Sequence, residues 1–266
     1  METIERDGVR IAYRVDGSRD ASRPWLVFSH SLACDHTMWD PQLESFADFR
    51  ILRFDTRGHG RSGAPQGDYT LELLADDLKA VLDALSIRRG HFVGLSMGGM
   101  IGQQLALSAP TRLLSLTLAD TSSRYPASVV PVWNERISLV RAQGMDAVLQ
   151  PTLERWFTAR FRQEQPHAVA RIAAAIRATP VAGYIGCAHA IPRIDFTSRL
   201  ESLRFPTMVV VGAEDQGTPV AMAQEIAAAI TGSELHVIDA AAHLSNVEQP
   251  DRFNAVLAAF LKRVNS

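Results

Sequence analysis

The stretch His91-Phe92-Val93-Gly94-Leu95-Ser96-Met97-Gly98-Gly99-Met100 decides the fold of this 266-residue chain. Phe92 to Leu95 is typical of the end of a buried strand, and Met97 to Ala109 is typical of a helix. A chain that turns from strand to helix this quickly strains the backbone at Ser96, and the glycines two residues before and after it remove side chains that would clash. The pattern therefore predicts a serine hydroxyl at the carboxyl edge of a sheet, with the positive end of a helix behind it.

A serine in such a turn becomes an effective nucleophile only beside a base that an acid orients. When a G-x-S-x-G serine lies in a parallel sheet, both partners follow later in the chain, at strand ends. His243 follows the last apolar strand, Leu235–Ile238, and is the predicted base. Asp215 follows the preceding strand and is the predicted acid, while Asp120, at the end of an earlier strand, is the alternative.

Acyl transfer also needs hydrogen-bond donors for the negative oxygen that develops on the attacked carbonyl. The backbone N–H of Met97, directly after the serine, is one predicted donor. The second is predicted at the N–H of Leu32, in the loop after the apolar strand Trp25–His30. His30 and His59 are predicted to hold loops in place by hydrogen bonds rather than to take part in the reaction.

Strands and helices alternate along most of the chain, which predicts an α/β fold whose mostly parallel sheet is covered by helices on both faces. An opening hairpin is predicted over Ile4–Val15. The predicted strands are Trp25–His30, Ile51–Asp55, Phe92–Leu95, Leu114–Ala119, Thr207–Gly212 and Leu235–Ile238. The predicted helices of this part are Met38–Phe46, Tyr69–Leu85, Met97–Ala109, Pro219–Ile230 and Asp251–Val264.

From residue 122 to residue 199 the alternation stops and only helical periodicity remains. The sequence therefore predicts a core of residues 1–121 and 200–266, with an all-helical cap of residues 122–199 over the carboxyl ends of the strands. Within this cap the predicted helices include Trp133–Gln143, Ala147–Phe157 and Pro166–Ala178. The segment holds ten arginines, no lysine and five acidic residues, a balance of +5 that leaves −7 for the rest of the chain. This asymmetry indicates a segment that attracts anions.

The composition excludes several classes of function. A net charge of −2 gives no basis for binding nucleic acid, and no apolar run is long enough to span a membrane. Cys34 and Cys187 are isolated, which predicts neither a disulfide framework nor a zinc site and favours a reducing, cytoplasmic location. No phosphate loop, metal cluster or dinucleotide glycine pattern is present in the sequence, so no cofactor is predicted.

Several motifs together resemble the α/β-hydrolase superfamily and, more narrowly, the bacterial 3-oxoadipate enol-lactonases of aromatic catabolism. The hydrolase motifs are Gly94-Leu95-Ser96-Met97-Gly98-Gly99, the turn Asp55-Thr56-Arg57-Gly58-His59-Gly60-Arg61-Ser62 and the late histidine His243. The narrower resemblance is carried by His30-Ser31-Leu32, Met38-Trp39-Asp40-Pro41-Gln42, Gly183-Tyr184-Ile185-Gly186-Cys187 and Ala242 to Pro250. These stretches span nearly the whole chain, including the predicted cap.

The resemblance implies Ser96 as nucleophile, His243 as base and Asp215 as acid, with the N–H groups of Leu32 and Met97 as oxyanion donors. It also implies a small anionic substrate, a butenolide ring with an acetate side chain, which is hydrolysed without a cofactor in the β-ketoadipate pathway. Trp133 and Arg193 are predicted to line the substrate pocket, and the further candidates are Arg136, Arg160 and Arg162. The chain departs from the family in one place, because Pro192 stands between Ile191 and Arg193 where such enzymes usually have arginine.

Other functions use the same residues. A carboxylesterase, or a hydrolase that cleaves C–C bonds in ring-fission products, would use the same triad, since neither fold nor triad sets the substrate. A small-molecule receptor without catalytic activity is a more distant alternative, and an intact set of serine, histidine and aspartate argues against it. The sequence predicts no oligomeric state.

Overall fold

A computed structural model describes residues 1–265, and an eight-stranded sheet forms its centre. The strands are β1 (Glu2–Arg6), β2 (Val9–Gly17), β3 (Trp25–Ser29), β4 (Arg50–Phe54), β5 (Gly90–Leu95), β6 (Leu113–Ala119), β7 (Thr207–Gly212) and β8 (Glu234–Ile238). Their order across the sheet is β1-β2-β4-β3-β5-β6-β7-β8. The predicted strands are present, and their bounds differ from the prediction by at most a few residues.

The sheet is antiparallel at one end and parallel elsewhere. β1 and β2 form the predicted hairpin around Asp7 and Gly8, which both have positive φ, and β2 pairs antiparallel with β4. All pairings from β4 through β3, β5, β6 and β7 to β8 are parallel. In a parallel sheet the carboxyl ends of all strands meet at one edge, so the residues that follow β3, β5, β6 and β7 come together there.

Helices cover the sheet, as the fully buried residues of β3, β5 and β7 require. The helices of the core are α1 (Leu71–Ala84), α2 (Met97–Ser108), α9 (Val220–Ala229), α10 (Ser245–Glu248) and α11 (Pro250–Val264). α1 packs against α2, while α10 and α11 pack against a 3-10 helix, His36–Gln42. Among residues 1–265, every helix is too short or too polar to cross a bilayer.

The helix predicted over Met38–Phe46 is present only in part. The chain forms the 3-10 helix His36–Gln42, followed by turns from residue 43 onward. Asp35 caps this helix by accepting a hydrogen bond from the backbone N–H of Thr37 at 2.8 Å. Pro41 lies inside it and has no N–H to donate, which prevents continuation as a regular α-helix.

The chain between β6 and β7 is helical, and we refer to residues 122–199 as the helical segment. Its helices are α3 (Val129–Gln143), α4 (Asp146–Trp156), α5 (Ala159–Glu164), α6 (Pro166–Ala178), α7 (Val181–Ala190) and α8 (Thr197–Leu200). α8 crosses the boundary predicted at residue 199. The one β-bridge that involves this segment in residues 1–265 joins Arg124 to Asp195, near its two ends.

The helical segment contacts the core closely at α7. A Cβ atom on Gly183 would lie 2.0 Å from the carbonyl oxygen of Gly58, in the turn after β4. Three residues further along α7, the carbonyl of Gly186 accepts a hydrogen bond of 3.0 Å from the N–H of Tyr69. The Gly-Tyr-x-Gly-Cys motif therefore supplies a bare helix face on which two backbones touch.

Candidate active site

Ser96 lies in a strained turn between β5 and α2. Its backbone has φ 56° and ψ −117°, a conformation that L-residues rarely adopt. The turn leaves no space for side chains beside it, because a Cβ on Gly94 would lie 2.3 Å from the carbonyl oxygen of Gly98. A Cβ on Gly98 would lie 2.1 Å from the carbonyl oxygen of Ser29. The two glycines of the G-x-S-x-G pattern are therefore a steric requirement of this turn.

The structure brings together the three residues that the sequence selects for the triad. His243 Nε2 lies 2.9 Å from Ser96 Oγ, and His243 Nδ1 lies 2.8 Å from Asp215 Oδ2. Ser96 lies 147 positions before His243 in the chain, so only the parallel sheet brings them into contact. With Nδ1–H donating to Asp215, the lone pair of Nε2 faces the serine hydroxyl and can accept its proton.

Asp215 is held by hydrogen bonds from the loop that carries it. Its Oδ1 accepts from the N–H groups of Gly217 and Thr218 at 2.7 and 3.0 Å, and its Oδ2 accepts from the Thr218 hydroxyl at 2.7 Å. Burial raises the pKa of Asp215, but the charge of His243 and these hydrogen bonds outweigh it, so the pKa lies below the ordinary 3.8. Asp215 is thus ionised at neutral pH and faces the imidazole.

The environment of His243 raises its basicity. Burial alone would lower the pKa of His243, but the Asp215 carboxylate raises it above the ordinary 6.5, against a smaller opposing effect from the charge of Arg155. The ring of Trp156, at the end of α4, lies 6.0 Å from the His243 ring between centroids. The helical segment therefore contacts the predicted base directly.

Asp120, the alternative acid, directly follows β6 at the same end of the sheet as the triad, but it forms hydrogen bonds with other groups. Its Oδ1 accepts from the N–H of Gly212, and its Oδ2 from the hydroxyl of Ser245. Burial, and after it the negative charge of Asp215, raises the pKa of Asp120 to about 8. Asp120 is therefore protonated at neutral pH, and it is Asp215 that contacts the His243 ring.

The loop after β3 carries Leu32, and its shape is fixed by two buried histidines. His30 donates from Nδ1 to the carbonyl of Ser31 at 2.7 Å and accepts from the N–H of Thr56 at 2.9 Å. His59 Nε2 accepts from the N–H of Ala33, whose φ of 59° is strained. Burial lowers the pKa of both histidines, that of His59 to about 3, so both rings are neutral.

The two predicted oxyanion donors lie at the same sheet edge as Ser96. β3 pairs with β5 through Ser29 and Gly94, which places the loop with Leu32 beside the Ser96 turn. Within residues 1–265 the N–H of Leu32 forms no hydrogen bond. Met97 is the first residue of α2, a position whose N–H has no partner within its helix.

The residues predicted to line the pocket are spread over the helical segment. Trp133 is half-buried, and the guanidinium of Arg136 lies 5.3 Å from its ring centroid. Arg193 is exposed and donates to the carbonyl of His189 one helical turn earlier, so its hydrogen bonds lie within the helical segment and not at the triad. Arg160 pairs with Glu164 on the surface, and the half-buried Arg162 lies 4.0 Å from Glu154.

Glu248 is a buried acid near the site that the sequence did not single out. Its carboxylate accepts hydrogen bonds from the N–H of Ala242, next to His243, and from the N–H and hydroxyl of Thr158, just after α4. Beside it, the N–H of Leu244 donates to the carbonyl of Trp156 at 3.2 Å. These bonds join the histidine loop to the helical segment. Thr158 and Glu248 are 90 positions apart, so no local pattern could reveal the pair.

One cluster has side chains of the kind that bind metal ions. Asp35, His36 and Asp55 have ligand atoms within 4.8 Å of one another. The Asp55 oxygens accept from the N–H and ring of His36 and from the N–H of Arg61, while Asp35 caps the 3-10 helix. Protein donors thus account for these oxygens, and the cluster holds the loop that precedes the helix.

Comparison with known proteins identifies the family. A sequence profile of the alpha/beta hydrolase fold matches residues 24–250. The chain is 36% identical over 265 residues to 3-oxoadipate enol-lactonase 2 of Acinetobacter baylyi, covering 99% of this chain and 97% of that protein.

Solved structures agree with this relationship. The enol-lactonase of Burkholderia xenovorans LB400 has a TM-score of 0.94 and 37% sequence identity, covering 98% of this chain and 100% of that one. A thermophilic esterase of Thermogutta terrifontis, solved with malate bound, has a TM-score of 0.91 and 28% identity, covering 99% of this chain and 97% of that one. The chain therefore belongs to the α/β-hydrolase fold family, with bacterial 3-oxoadipate enol-lactonases among its relatives.

Proposed function

We propose that this protein hydrolyses 3-oxoadipate enol-lactone to 3-oxoadipate, through an acyl-enzyme on Ser96, in the catabolism of aromatic compounds. The observation that carries the proposal is the continuous hydrogen-bonded series Ser96–His243–Asp215, with distances of 2.9 and 2.8 Å. The relatives support this choice of substrate, since a protein 36% identical over nearly the whole chain is named for this lactonase activity.

In the first step, Ser96 Oγ attacks the lactone carbonyl carbon while His243 Nε2 takes the hydroxyl proton. The Asp215 carboxylate stabilises the imidazolium that forms and keeps Nδ1 as a donor. The carbonyl oxygen becomes an oxyanion, which the N–H groups of Leu32 and Met97 would stabilise. Each such donor contributes roughly 10²- to 10³-fold to the rate.

In the second step, the C–O bond of the ring breaks and the enol oxygen leaves with the proton from His243. The enol then becomes a ketone, which makes the ring opening effectively irreversible. A water molecule, deprotonated by His243, attacks the acyl-enzyme, and the proton returns to Ser96 Oγ as 3-oxoadipate departs. Five residues, Ser96, His243, Asp215, Leu32 and Met97, account for each proton and each developing charge.

The helical segment acts in this proposal as a cap that excludes water and attracts the anionic substrate. Ser96 is 9% exposed, so the reaction takes place in a largely enclosed site. The excess of arginine in residues 122–199 suits a carboxylate-bearing lactone. We also propose a cytoplasmic location and no partner other than the small molecule. Cys34 and Cys187 are both buried free thiols, as expected in a reducing compartment.

The alternative with a specific observation behind it is a carboxylesterase, because one solved relative is named as an esterase at 28% identity. The same triad would cleave simple esters or the C–C bonds of vinylogous diketones. Only the substrate, and not the catalytic residues, separates these alternatives.

Steady-state kinetics on three substrates tests the proposal. We expect kcat/KM for the enol-lactone to exceed that for p-nitrophenyl butyrate and for a vinylogous diketone by at least about 100-fold, a preference typical of a site that pairs a charged group. Ester hydrolysis at equal or higher efficiency would favour the carboxylesterase. Absence of multiple turnover on all three substrates would instead favour a receptor.

A further inference from the structure

The arginines of the helical segment differ in how their charges are balanced. Four of the ten form ion pairs with acids: Arg124 with Glu225, Arg160 with Glu164, Arg162 with Glu154, and Arg177 with Asp146. Four others are exposed to solvent: Arg141, Arg171, Arg193 and Arg199. The remaining two, Arg136 and Arg155, are half-buried, and within residues 1–265 neither forms an ion pair.

Arg136 is held in place by neutral groups. Its Nη2 donates to the hydroxyl of Thr152 on α4 at 2.8 Å, and its guanidinium lies 5.3 Å from the ring centroid of Trp133 and 5.7 Å from that of Tyr184. Its Nε is buried and has no acceptor in the part of the chain that the structure describes. Arg136 is thus fixed by aromatic rings and a hydroxyl, with hydrogen-bonding capacity left over.

Arg155 lies on the same helix, three residues after Thr152 and directly before Trp156. Its guanidinium forms no hydrogen bond within residues 1–265. Thr152, the partner of Arg136, and Arg155 are three residues apart on α4, so they lie on the same face of that helix. Burial lowers the pKa of Arg155, and the charge of Arg136 lowers it further. Its charge also acts on His243, whose ring lies 6.0 Å from that of Trp156.

Two like charges that are partly removed from water and lack a counterion are costly for a folded protein. A bound anion would remove both the desolvation penalty and the repulsion. A carboxylate suits this role, because a guanidinium donates two parallel hydrogen bonds to its oxygens. The exposed arginines carry no such penalty, since water solvates them.

We propose that Arg155, with Arg136 beside it, binds the carboxylate of the substrate and makes the enzyme selective for acidic over neutral substrates. The inference rests on the proposed function for the identity of the lactone. The presence of an anion site is independent of the proposed function, because it is inferred from the burial of the two arginines and their missing counterions. It replaces the exposed Arg193 as the group expected to hold the substrate.

The test compares Arg155→Gln with Arg141→Gln, a matched control on an exposed arginine of α3, and with Arg155→Lys. Each protein is assayed with the enol-lactone and with its neutral methyl ester, and calorimetry measures the binding of adipate, a stable dicarboxylate. We expect Arg155→Gln to lower kcat/KM for the acid by about 30- to 100-fold and for the methyl ester by less than about threefold. Arg155→Lys keeps the positive charge but loses the two parallel N–H donors of the guanidinium. Its kcat/KM for the acidic substrate should therefore lie between those of Arg155→Gln and wild type.

The outcomes separate this inference from the proposed lactonase activity. Selective loss of the acidic substrate, with weaker adipate binding, in Arg155→Gln but not in Arg141→Gln supports the anion site. Adipate binding that depends on Arg155 in a protein that does not turn over the lactone supports the anion site and rejects the lactonase. Equal losses on acid and methyl ester, or adipate affinity unchanged by Arg155→Gln, would overturn the anion site whatever the lactonase activity.

Discussion

The triad at the sheet edge and the two arginines of the helical segment differ in whether their polar groups have protein partners. Asp215 accepts hydrogen bonds from four donors, and both ring nitrogens of His243 lie within hydrogen-bonding distance of another side chain. Arg136 and Arg155 are half-buried and form no ion pair with an acid, and the guanidinium of Arg155 forms no hydrogen bond within residues 1–265. The polar groups of the proposed triad therefore have protein partners without substrate, whereas the two arginines have no acidic partner within residues 1–265 and are proposed to gain one from an anion.

This difference predicts which property each region controls. Changes to a preorganised triad affect the transition state of every substrate, because the reacting atoms are common to all of them. Changes to an unpaired arginine affect only substrates that supply the missing anion. Variants in the two regions should therefore divide by whether their effect depends on the charge of the substrate.

The largest effect is expected from Ser96→Ala. Loss of the hydroxyl removes the nucleophile for both the acidic and the neutral substrate, so kcat should fall by about 10⁶-fold on each. The measurement is single-turnover hydrolysis with the enol-lactone and p-nitrophenyl butyrate. More than about a hundredth of the wild-type rate remaining on either substrate would contradict the role of Ser96 as nucleophile.

A smaller effect is expected from Asp215→Asn. Loss of the carboxylate removes the group that orients His243, and kcat should fall by about 10⁴-fold. The pH profile should change as well. His243 must be uncharged to accept the proton, so activity in the wild type falls as pH drops through the raised pKa, above 6.5. Without the Asp215 charge that raises this pKa, the acid limb of kcat/KM should move to lower pH.

Asp120→Asn is the matched control for this variant. Asp120 is buried at the same end of the sheet as Asp215, but its pKa of about 8 makes it neutral at pH 7. An asparagine therefore resembles the protonated Asp120 side chain. Its kcat should stay within about tenfold of wild type at neutral pH. If Asp120→Asn were the more damaging of the two variants, the acid of the triad would be Asp120.

The core of the site was predictable because its signals are local. The glycines around Ser96 mark a turn whose backbone, at φ 56°, has no space for other side chains, and His243 and Asp215 each follow an apolar strand. A parallel sheet converts these separate positions into neighbours, since it brings strand ends to one edge. The structure places these three side chains in a hydrogen-bonded series. The helix predicted over Met38–Phe46 was located less well, because Pro41 limits it to a short 3-10 helix that ends at Gln42.

The helical segment was less predictable because its contacts are between distant helices. Helical periodicity locates α3, α4 and α6 but does not say which face of each meets the triad. The sequence alone does not distinguish Arg155 from Arg193. In the structure Arg155 is half-buried directly before Trp156, whose ring lies 6.0 Å from that of His243, whereas Arg193 is exposed. The neighbouring Trp156, a large apolar residue at a helix end, is a signal in the sequence that could have drawn attention to Arg155.

Glu248 joins the two regions, and its substitution gives the smallest effect. All of its partners are donors: the N–H of Ala242, beside His243, and the N–H and hydroxyl of Thr158, after α4. In Glu248→Gln the amide nitrogen would face one of these donors and break part of the link. His243 would then be positioned less accurately, and kcat should fall by about tenfold on acidic and neutral substrates alike.

The exposed Glu201 provides the control, because Glu201→Gln removes the same charge on the surface.

Burial raises the pKa of Glu248 despite its hydrogen bonds, so its ionisation weakens the folded state as pH rises through that pKa. Glu248→Gln should therefore lose less stability between pH 4 and pH 7 than wild type does, which thermal melts at both pH values can measure. A loss confined to the acidic substrate would place Glu248 with the arginines, whereas a loss shared by both substrates places it with the triad.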